Sequence, residues 1–331
     1  MSKAVALYSG GLDSTLAIIV MAKRGVEIEA VHFDTDLAPA NDSSEFAKRL
    51  QADSDRFGFR HTTIHLGRKF LDIVQNPHHG YGKNMNPCID CKILMIREAG
   101  EYMRKCGADF LITGEVVGQR PMSQMKPTIM KIDKASGMAG YIVRPLSGKI
   151  LEPTIPEQSG LIQRDWLLAI NGRSRKGQIQ LAEQYGLTDY ATPAGGCFLT
   201  DSNYAARIKD LFIYNLQFDQ NDIFLLRHGR HFRLSPNARL VVGRDENDND
   251  RIAAYIKPDD YVLEVADAGS PLGVMRGNVQ PEDIELAAAI MAGYSSAKYS
   301  DSAVVEIKAK EVTERIKVVP APQAVIQKYL L

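Results

Sequence analysis

The feature that most constrains this chain is a glycine turn that joins an apolar strand to a helix. The apolar run 4–8 leads into Ser9-Gly10-Gly11-Leu12-Asp13-Ser14, and a helical pattern resumes at Ser14. Glycines let backbone N–H groups approach an anion closely, and the new helix directs its positive N-terminus at the same place. Ser9 and Ser14 add hydroxyl donors, and Asp13 can help to hold a metal ion. The turn therefore predicts a phosphate-binding site for a nucleoside triphosphate.

This turn differs from two common nucleotide-binding motifs. No Gly-Lys-Ser/Thr follows it, as in the Walker motif, and its spacing is not Gly-x-Gly-x-x-Gly. A bare glycine turn between a strand and a helix is also common as a purely structural feature. The six defined residues at the first strand–helix junction favour the phosphate site here.

Composition limits the class of protein. A chain of 331 residues predicts two domains, and its 40 basic and 40 acidic residues argue against a globally basic nucleic-acid-binding protein. No apolar stretch is long enough to span a bilayer, and we expect no membrane partner. Because a strand begins within three residues of the start, we expect no secretory signal and a cytoplasmic location. The four cysteines there are not a disulfide framework.

The first part of the chain alternates strand and helix patterns, which predicts an α/β fold with a doubly wound parallel sheet. The strand patterns cover residues 4–8, 29–33, 61–65 and 110–113, and the helical patterns cover 14–23, 44–57 and 91–106. Ligands of such sheets bind at the carboxyl ends of the strands, where Ser9, Asp34 and Gly114 lie. We expect loops and short strands over 116–160, and a helix over 162–186 with Trp166 on its apolar face.

After Asp201-Ser202-Asn203 the pattern changes, and we expect a domain boundary that divides the chain into residues 1–202 and 203–331. Short strands are predicted over 222–226, 231–234, 239–242 and 261–265, and a helix over 281–292. This pattern is typical of a smaller α+β domain.

Three of the cysteines fall in segments suited to chemistry. Cys88 and Cys91 form a Cys-x-x-Cys at a helix start, and Cys197 lies in a second glycine turn. A helix N-terminus and the adjacent Lys92 lower a thiol pKa. Three thiolates suit an iron–sulfur cluster with one open iron or a zinc ion with one open site, and soft thiolate ligands alone do not choose between the two. Alternatively, Cys197 carries a persulfide that one of the pair resolves. Cys106 is expected to be a core residue.

Two motifs carry a resemblance to known families. Residues 9–14 resemble the signature of the PP-loop ATP pyrophosphatases. Thr113-Gly114-Glu115-Val116-Val117-Gly118-Gln119, followed by Ser123-Gln124 and by Arg144-Pro145-Leu146, resembles the PP-loop domain of tRNA 4-thiouridine synthetases. The resemblance covers roughly residues 1–200. It implies ATP-dependent thiolation of a tRNA uridine, in which the uridine carbonyl oxygen attacks the α-phosphorus, pyrophosphate leaves, and sulfur displaces AMP.

The same resemblance implies roles for individual residues. Those that would cradle pyrophosphate and its Mg²⁺ are Ser9, Gly10, Gly11, Asp13 and Ser14, with Asp13 catalytic. Those that would line the rest of the ATP site are Phe33, Asp34, Gly114, Glu115, Gln119, Ser123 and Gln124. A likeness to cluster-dependent tRNA thiolation enzymes implies a [4Fe–4S] cluster on Cys88, Cys91 and Cys197, with Cys197 catalytic. The sulfur donor would be free sulfide or a persulfide-carrying protein.

The tail carries a second resemblance. The block His231-Phe232-Arg233-Leu234-Ser235-Pro236-Asn237, continuing to 247, resembles the RNA-binding domain of NFACT-type proteins. Because the first strand begins at residue 3, we expect no N-terminal RNA-binding extension and assign RNA contact to this tail. The residues implied are Arg227, Arg230, His231, Arg233 and Arg244. The alternative is a solvated strand face.

The sequence leaves other functions open. The first is 2-thiouridine-type thiolation through a persulfide, and the second is a PP-loop ligase that acts on a small molecule. The third is a non-catalytic, ATP-sensing RNA-binding protein. An RNA shared across two subunits would make the protein a homodimer.

Overall fold

The apolar runs near the start of the chain form a parallel sheet in a computed structural model of the protein. The structure describes residues 2–35, 37, 43–187, 190, 197–215, 217–310 and 312–331. It divides into two units, Met1–Thr200 and Asp201–Leu331, and each has its own sheet. Within the described ranges, no helix is long and apolar enough to cross a membrane.

The sheet of the first unit has five strands in the order β3-β2-β1-β4-β5, and every neighbouring pair is parallel. The strands are β1 (Lys3–Leu7), β2 (Glu27–Asp34), β3 (Arg60–His65), β4 (Phe110–Ile112) and β5 (Ile142–Val143). The chain runs outward from β1 on one side and then returns to add β4 on the other. The switch point therefore lies at the carboxyl ends of β1 and β4. The predicted α/β doubly wound parallel sheet is confirmed.

Helices pack against this sheet and bury its apolar strands. They are α1 (Leu12–Ala22), α2 (Ser43–Phe57), α3 (Gly67–Gln75), α4 (Cys88–Lys105), α5 (Lys126–Ala135), α6 (Ile155–Gln158) and α7 (Lys176–Gln184). Helix α1 is the most apolar, and its Leu16, Ile18 and Ile19 are at most 1% exposed. A helix buried on so many sides is held rigidly, which fixes its N-terminus relative to the sheet.

Two predictions for the first unit are wrong. Helix α5 lies in the segment expected to hold only loops and short strands. The helix expected over 162–186 is confined to α7, because the residues before it pair with another chain segment. Leu168 N donates to Pro145 O at 2.7 Å, and Ile170 N donates to Leu146 O at 2.9 Å. Leu167, Trp166 and Ile170 still pack into the core, but Trp166 ends a single 3-10 turn (Arg164–Trp166) and Leu167 has extended backbone, so they do not share one helix face.

The second unit is built on a six-stranded antiparallel sheet in the order β11-β10-β8-β9-β7-β6. Its strands are β6 (Arg230–Ser235), β7 (Ala238–Val242), β8 (Tyr261–Val265), β9 (Gly273–Gly277), β10 (Ala303–Ala309) and β11 (Val312–Val318). Its helices are α8 (Ser202–Tyr214), α9 (Gln220–Leu225), α10 (Glu246–Ala253), α11 (Pro281–Tyr294) and α12 (Gln323–Ile326). The apolar face of α11 packs on the sheet.

Residues 222–226, expected to form a strand, belong to helix α9 and the turn after it. A capping box explains the difference, because Asp219 accepts from Asp222 N at 3.0 Å and Asp222 accepts from Asp219 N at 3.2 Å. Reciprocal caps satisfy the first N–H groups of a helix and favour it over an extended chain. The predicted strands near β6, β7 and β8 and the predicted helix near α11 are confirmed.

Candidate functional site

The glycine turn after β1 has the backbone shape of an anion cradle. Gly10 has φ +71°, and a Cβ there would lie 2.8 Å from the Phe46 ring, so only glycine fits without strain. Gly11 is extended and begins α1, and within the described residues no side chain caps that helix. The first N–H groups of α1 are therefore available to a ligand at the positive end of the helix.

The two hydroxyls of the turn bind each other and the backbone. Ser14 Oγ donates to Gly11 O at 2.8 Å and lies 3.1 Å from Ser9 Oγ, while Ser9 N donates to Ser14 Oγ at 3.3 Å. These bonds hold the turn in one shape. Ser9 remains exposed, and Ser14 is buried.

Asp13 is held by residues from two distant segments. Gln119 Nε2 donates to Asp13 Oδ2 at 2.8 Å, and Gln178 Nε2 donates to Gln119 Oε1 at 3.0 Å. Arg175 Nη2 lies 3.9 Å from Asp13 Oδ1. Because Gln178 is fully buried, it fixes the Gln119 amide, and the amide in turn orients the Asp13 carboxylate.

Buried polar atoms without a hydrogen-bond partner collect at this place. Among the residues that the structure describes, they include Asp13 Oδ1, Arg175 Nε and Gln178 Oε1. Unpaired buried polar groups are costly, and a group of them marks a site that a polar ligand completes. Sequence reasoning missed Arg175 and Gln178. The available signal was the basic run at 173–176, directly before the polar start of α7.

Gly114, at the end of β4, touches the glycine turn. A Cβ at this position would lie 2.5 Å from Asp13 C and 2.5 Å from Ser14 N. Only a residue without a side chain allows this approach. Gly114 therefore sets the distance between β4 and the turn through the backbone.

Glu115 lies in a buried ion-pair network. Its Oε2 accepts from Arg144 Nε at 3.0 Å and from Thr113 Oγ1 at 3.1 Å, and Lys92 Nζ lies 3.5 Å from Oε1. Arg144 also binds Asp133 at 2.6 Å. Burial acts to raise the pKa of Glu115, but the charges of Lys92 and Arg144 outweigh it and hold the pKa below its usual range. The carboxylate is thus ionised. Its Oε2 is engaged within the protein, whereas its buried Oε1 has no hydrogen-bond partner among the described residues.

The other predicted ATP-site residues lie at the same edge of the sheet. Phe33 and Asp34 end β2, where Asp34 Oδ2 lies 3.1 Å from His65 Nδ1. Ser123 and Gln124 are buried in the loop after Gln119. Gly118 N donates to Gln124 O at 2.7 Å, which closes that loop. Phe33 is nearly buried and presents little surface to a ligand.

The structure brings Cys88, Cys91 and Cys197 toward one another. Cys88 and Cys197 both act electrostatically on Cys91, and Cys88 acts on Cys197. Cys197 comes close because Leu199 O accepts from Met85 N at 3.1 Å, which ties its segment to the loop before α4. Over the described part of the chain, no three His, Cys, Asp or Glu side chains form a ready metal-binding group. The glycine turn at 192–196 lies outside the described residues.

The expected lowering of the thiol pKa is wrong for two of these cysteines. Burial raises the pKa of the Cys91 thiol to about 12, although Lys92 acts in the expected direction. Burial also raises the pKa of Cys197. Cys106 is half-buried at the end of α4 rather than in the core, and its thiol lies 3.6 Å from Met103 O.

In the second unit, some of the residues predicted to contact RNA are exposed, whereas others are bound to groups within the protein. Arg244 is half-exposed beside Asp248, and Arg230 donates to Gly243 O at 3.3 Å. Arg233 is paired with Asp210 at 2.5 Å. His231 is 1% exposed, and its Nε2 lies 2.8 Å from His228 O, so the ring is a core group that faces no ligand. The guanidinium of Arg227 lies over the Phe224 ring.

Comparisons with known proteins agree with this division of the chain. Residues 1–152 match the family model described as thiamine biosynthesis protein (ThiI), and residues 229–330 match that of the NFACT protein RNA binding domain. A probable tRNA sulfurtransferase of Methanosarcina mazei is 37% identical over 124 residues, which are 35% of this chain and 29% of the relative. One of Thermococcus kodakarensis is 30% identical over 155 residues, 44% of this chain and 37% of the relative.

Among solved structures, the chain is similar to a 4-thiouridine synthetase in complex with RNA and bound ATP. The TM-score is 0.37 at 22% identity, over 57% of this chain and 54% of that one. The matched segments are 29% and 37% of the lengths of the two tRNA sulfurtransferase relatives, so the chain spans roughly a third of each relative. Residues 1–152 carry a domain of the ThiI family, and residues 229–330 carry an NFACT-type RNA-binding domain.

Proposed function

We propose that this protein is an ATP-dependent tRNA sulfurtransferase. In this reaction a uridine carbonyl oxygen attacks the α-phosphorus of ATP, the bond to pyrophosphate breaks, and a sulfur nucleophile then displaces AMP. The observation that supports it best is the oriented Asp13 carboxylate beside an uncapped helix start, at the switch point of a ThiI-type domain. The relatives named as probable tRNA sulfurtransferases share this part of the chain.

The glycine turn and its neighbours bind the phosphates of ATP. The N–H groups at Gly11 and the first turn of α1 donate to phosphate oxygens, as free helix starts do. Arg175 lies beside Asp13 with an unpartnered buried Nε, so its guanidinium can donate to the pyrophosphate that leaves. Stabilising negative charge as it develops on the leaving group lowers the barrier.

Mg²⁺ fits the donor set at Asp13. Its Oδ1 is a buried carboxylate oxygen without a hydrogen-bond partner among the described residues, and such hard oxygen ligands suit Mg²⁺. When bound, the ion supplies positive charge against the pyrophosphate oxygens. Gln119 keeps the other oxygen, Oδ2, occupied, which leaves Oδ1 as the oxygen that faces the ligand.

Sulfur chemistry is assigned to Cys88, Cys91 and Cys197. Three thiols are the number that a [4Fe–4S] cluster with one open iron would take, although within the described residues they are not gathered into a ready metal-binding group. When bound, such a cluster would supply a site for sulfide. Burial keeps Cys91 protonated at neutral pH, a state that binding to iron would reverse. The competing route is a persulfide on Cys197, and the sulfur donor is then a persulfide-carrying protein rather than free sulfide.

RNA binding is assigned to residues 203–331, and ATP chemistry to residues 1–202. The match of 229–330 to an RNA-binding domain family supports this division. An RNA substrate favours the thiolation reaction over a PP-loop ligase for a small molecule. The oriented Asp13 favours an enzyme over a protein that only senses ATP.

The test is mass spectrometry of nucleosides from an unmodified tRNA transcript, incubated anaerobically with protein, ATP, Mg²⁺ and sulfide. The wild type should produce a thiouridine, whereas Asp13→Asn should produce none. Asp55→Asn is the matched control, since Asp55 is exposed on α2 and accepts only a surface bond from Gln51 at 2.8 Å. Equal product from Asp13→Asn and the wild type would overturn the proposal.

A further inference from the structure

The arginines of the second unit fall into two groups according to their partners. The first group is neutralised by buried carboxylates. Arg233 lies 2.5 Å from Asp210, Arg239 lies 2.5 Å from Asp222, and Arg276 lies 2.6 Å from Asp260. These arginines hold the fold together. Arg239 Nη1 is also buried without a hydrogen-bond partner among the described residues, but the guanidinium of Arg239 is already paired with Asp222.

The second group lies along α10, from the residues before its start to Arg251 in its last turn, and we call it the arginine cluster. Its members are Arg207, Arg227, Arg230, Arg244 and Arg251. The charges of Arg227, Arg244 and Arg251 all act on the His228 ring. Arg207 Nη1 donates to Leu226 O at 3.0 Å, and Arg230 Nη1 donates to Gly243 O at 3.3 Å, directly before Arg244. Within the described ranges, no carboxylate oxygen lies within 4.0 Å of the guanidinium nitrogens of Arg207 or Arg230.

Arg207 is the member that most requires an anion. Its Nε is buried and has no hydrogen-bond partner in the described part of the chain. Burial lowers the pKa of this guanidinium, and the nearby charge of Arg244 lowers it further. A buried cation with an unmatched N–H is costly until an anion supplies both the charge and the acceptor.

Carboxylates near the cluster are already engaged. Asp201 caps α8 by accepting from Tyr204 N at 2.8 Å, and Asp245 caps α10 by accepting from Asp248 N at 2.9 Å. Asp248 binds the backbone and side chain of Arg244. Glu246 and Asp250 of α10 bring the nearby acids to five, equal to the five arginines. The capacity for an anion therefore lies not in net charge but in the guanidinium groups of Arg207 and Arg230, which no carboxylate meets within the described ranges, and in the unpartnered Arg207 Nε.

Aromatic rings hold part of the cluster in place. Arg227 lies 5.0 Å from the centre of the Phe224 ring, and Arg230 lies 4.7 Å from that of Tyr294. His228 stacks on Tyr255 at 5.8 Å with an interplanar angle of 11°. Fixed guanidinium groups lose less conformational entropy when a ligand binds, because their positions are already restricted.

We propose that the arginine cluster binds the phosphodiester backbone of the RNA substrate. This inference rests on the proposed function and identifies where the RNA is held. It adds Arg207 and Arg251 to the contacts expected from the sequence, and it removes Arg233 and His231. Arg207 and Arg227 lie outside the 229–330 match, so the RNA site extends beyond that domain family.

The test measures binding of a fluorescein-labelled tRNA transcript to the full chain over about 50 to 200 mM KCl. Arg207→Ala and Arg251→Gln should each weaken binding about tenfold and reduce the slope of log K against log salt by about 1. Arg251 is exposed, so Arg251→Gln does not disturb the core. Arg315→Gln is the matched control, because Arg315 is 65% exposed on β11 and paired with Glu306.

The outcomes separate this proposal from the proposed function. Weaker binding by both cluster variants, with Arg315→Gln like the wild type, supports the arginine cluster. Wild-type affinity and salt slope in Arg251→Gln and in a folded Arg207→Ala would overturn it and leave the RNA-directed function standing. Failure of the wild type to bind the transcript would overturn both.

Discussion

Arg175 is the residue at the site for which the sequence carried the weakest signal. It belongs to no motif, and it reaches Asp13 only because the 171–175 segment lies against the loop after β4. Gly172 N donates to Val117 O at 2.8 Å, which places the next residues beside the glycine turn. The position of Asp13 at the glycine turn could be predicted, since six adjacent residues define the turn. The role of Gln178 could not, because it depends on a contact across 59 positions.

Removing the Arg175 charge should weaken ATP use. We expect Arg175→Met to raise the KM for ATP or lower kcat/KM by about 10- to 100-fold, the effect of losing a hydrogen bond to a charged group. Arg173→Met, at an exposed position in the same basic run, is the control and should match the wild type. Steady-state rates of pyrophosphate release give KM and kcat/KM for both variants. An unchanged kcat/KM in Arg175→Met would remove Arg175 from the phosphate site.

Adding a methyl group at Gly114 should displace the glycine turn. The new Cβ would lie 2.5 Å from two backbone atoms of the turn, so either β4 or α1 must move. We expect Gly114→Ala to weaken ATP binding at least tenfold, as measured by calorimetry. Gly269→Ala, where the nearest atom is 3.7 Å from the Cβ, should bind ATP normally. Wild-type ATP affinity in Gly114→Ala would show that the contact is not needed.

Among the elements, the strands of the parallel sheet were predictable because apolar runs bounded by turns mark buried strands. Helix α9 could not be predicted, because the apolar run Ile223, Phe224 and Leu225 fits a strand and a buried helix turn equally well. The capping box of Asp219 and Asp222 decides between them. Helix α5 escaped notice because only Ile129 and Ile132 on it are buried, which gives a weak periodic signal.

Asp222 links α9 to two strands, and it should make stability depend on pH. Burial acts to raise its pKa, but Arg239 and Arg276 outweigh burial and hold the pKa below its usual range. Its contribution is therefore full at neutral pH, begins to fall below about pH 3.9, the usual aspartate value, and is lost as the pH falls through the lower pKa of the folded protein. We expect Asp222→Asn to destabilise the second unit by about 3–5 kcal/mol at pH 7 and by less at pH 3.

Urea denaturation at both pH values measures this difference. Asp259→Asn is the control, because Asp259 is 86% exposed and its pairing with Lys310 should contribute little. An equal loss of stability at pH 3 and pH 7 in Asp222→Asn would contradict the ion-pair account.

The start of α4 and the segment at 197–200 should act together as a sulfur centre. We expect anaerobically reconstituted protein to be brown with about four irons per chain, and Cys197→Ser to lose the colour. Cys106→Ser is the control, since Cys106 is a half-buried thiol at the other end of α4. Iron and sulfide analysis with a visible spectrum checks this. Colourless, iron-free wild type would favour the persulfide route.

At the scale of the whole molecule, we propose that two units with different sheets carry complementary chemistry. The first offers a phosphate cradle at a parallel switch point, and the second offers an arginine cluster on an antiparallel scaffold. The balanced net charge could not reveal the cluster, because a sum over the whole chain does not show how its charged residues are placed. Coupling of ATP cleavage to RNA is the claim that joins the two units.

The most direct test follows the α-phosphate of ATP. The protein is incubated anaerobically with α-labelled ATP, Mg²⁺ and sulfide, with and without an unmodified tRNA transcript, and the labelled nucleotides and the unlabelled pyrophosphate are measured. The account predicts AMP and pyrophosphate, formed only when the RNA is present and absent in Asp13→Asn. Formation of ADP, or of AMP at a rate indifferent to the RNA, would contradict it.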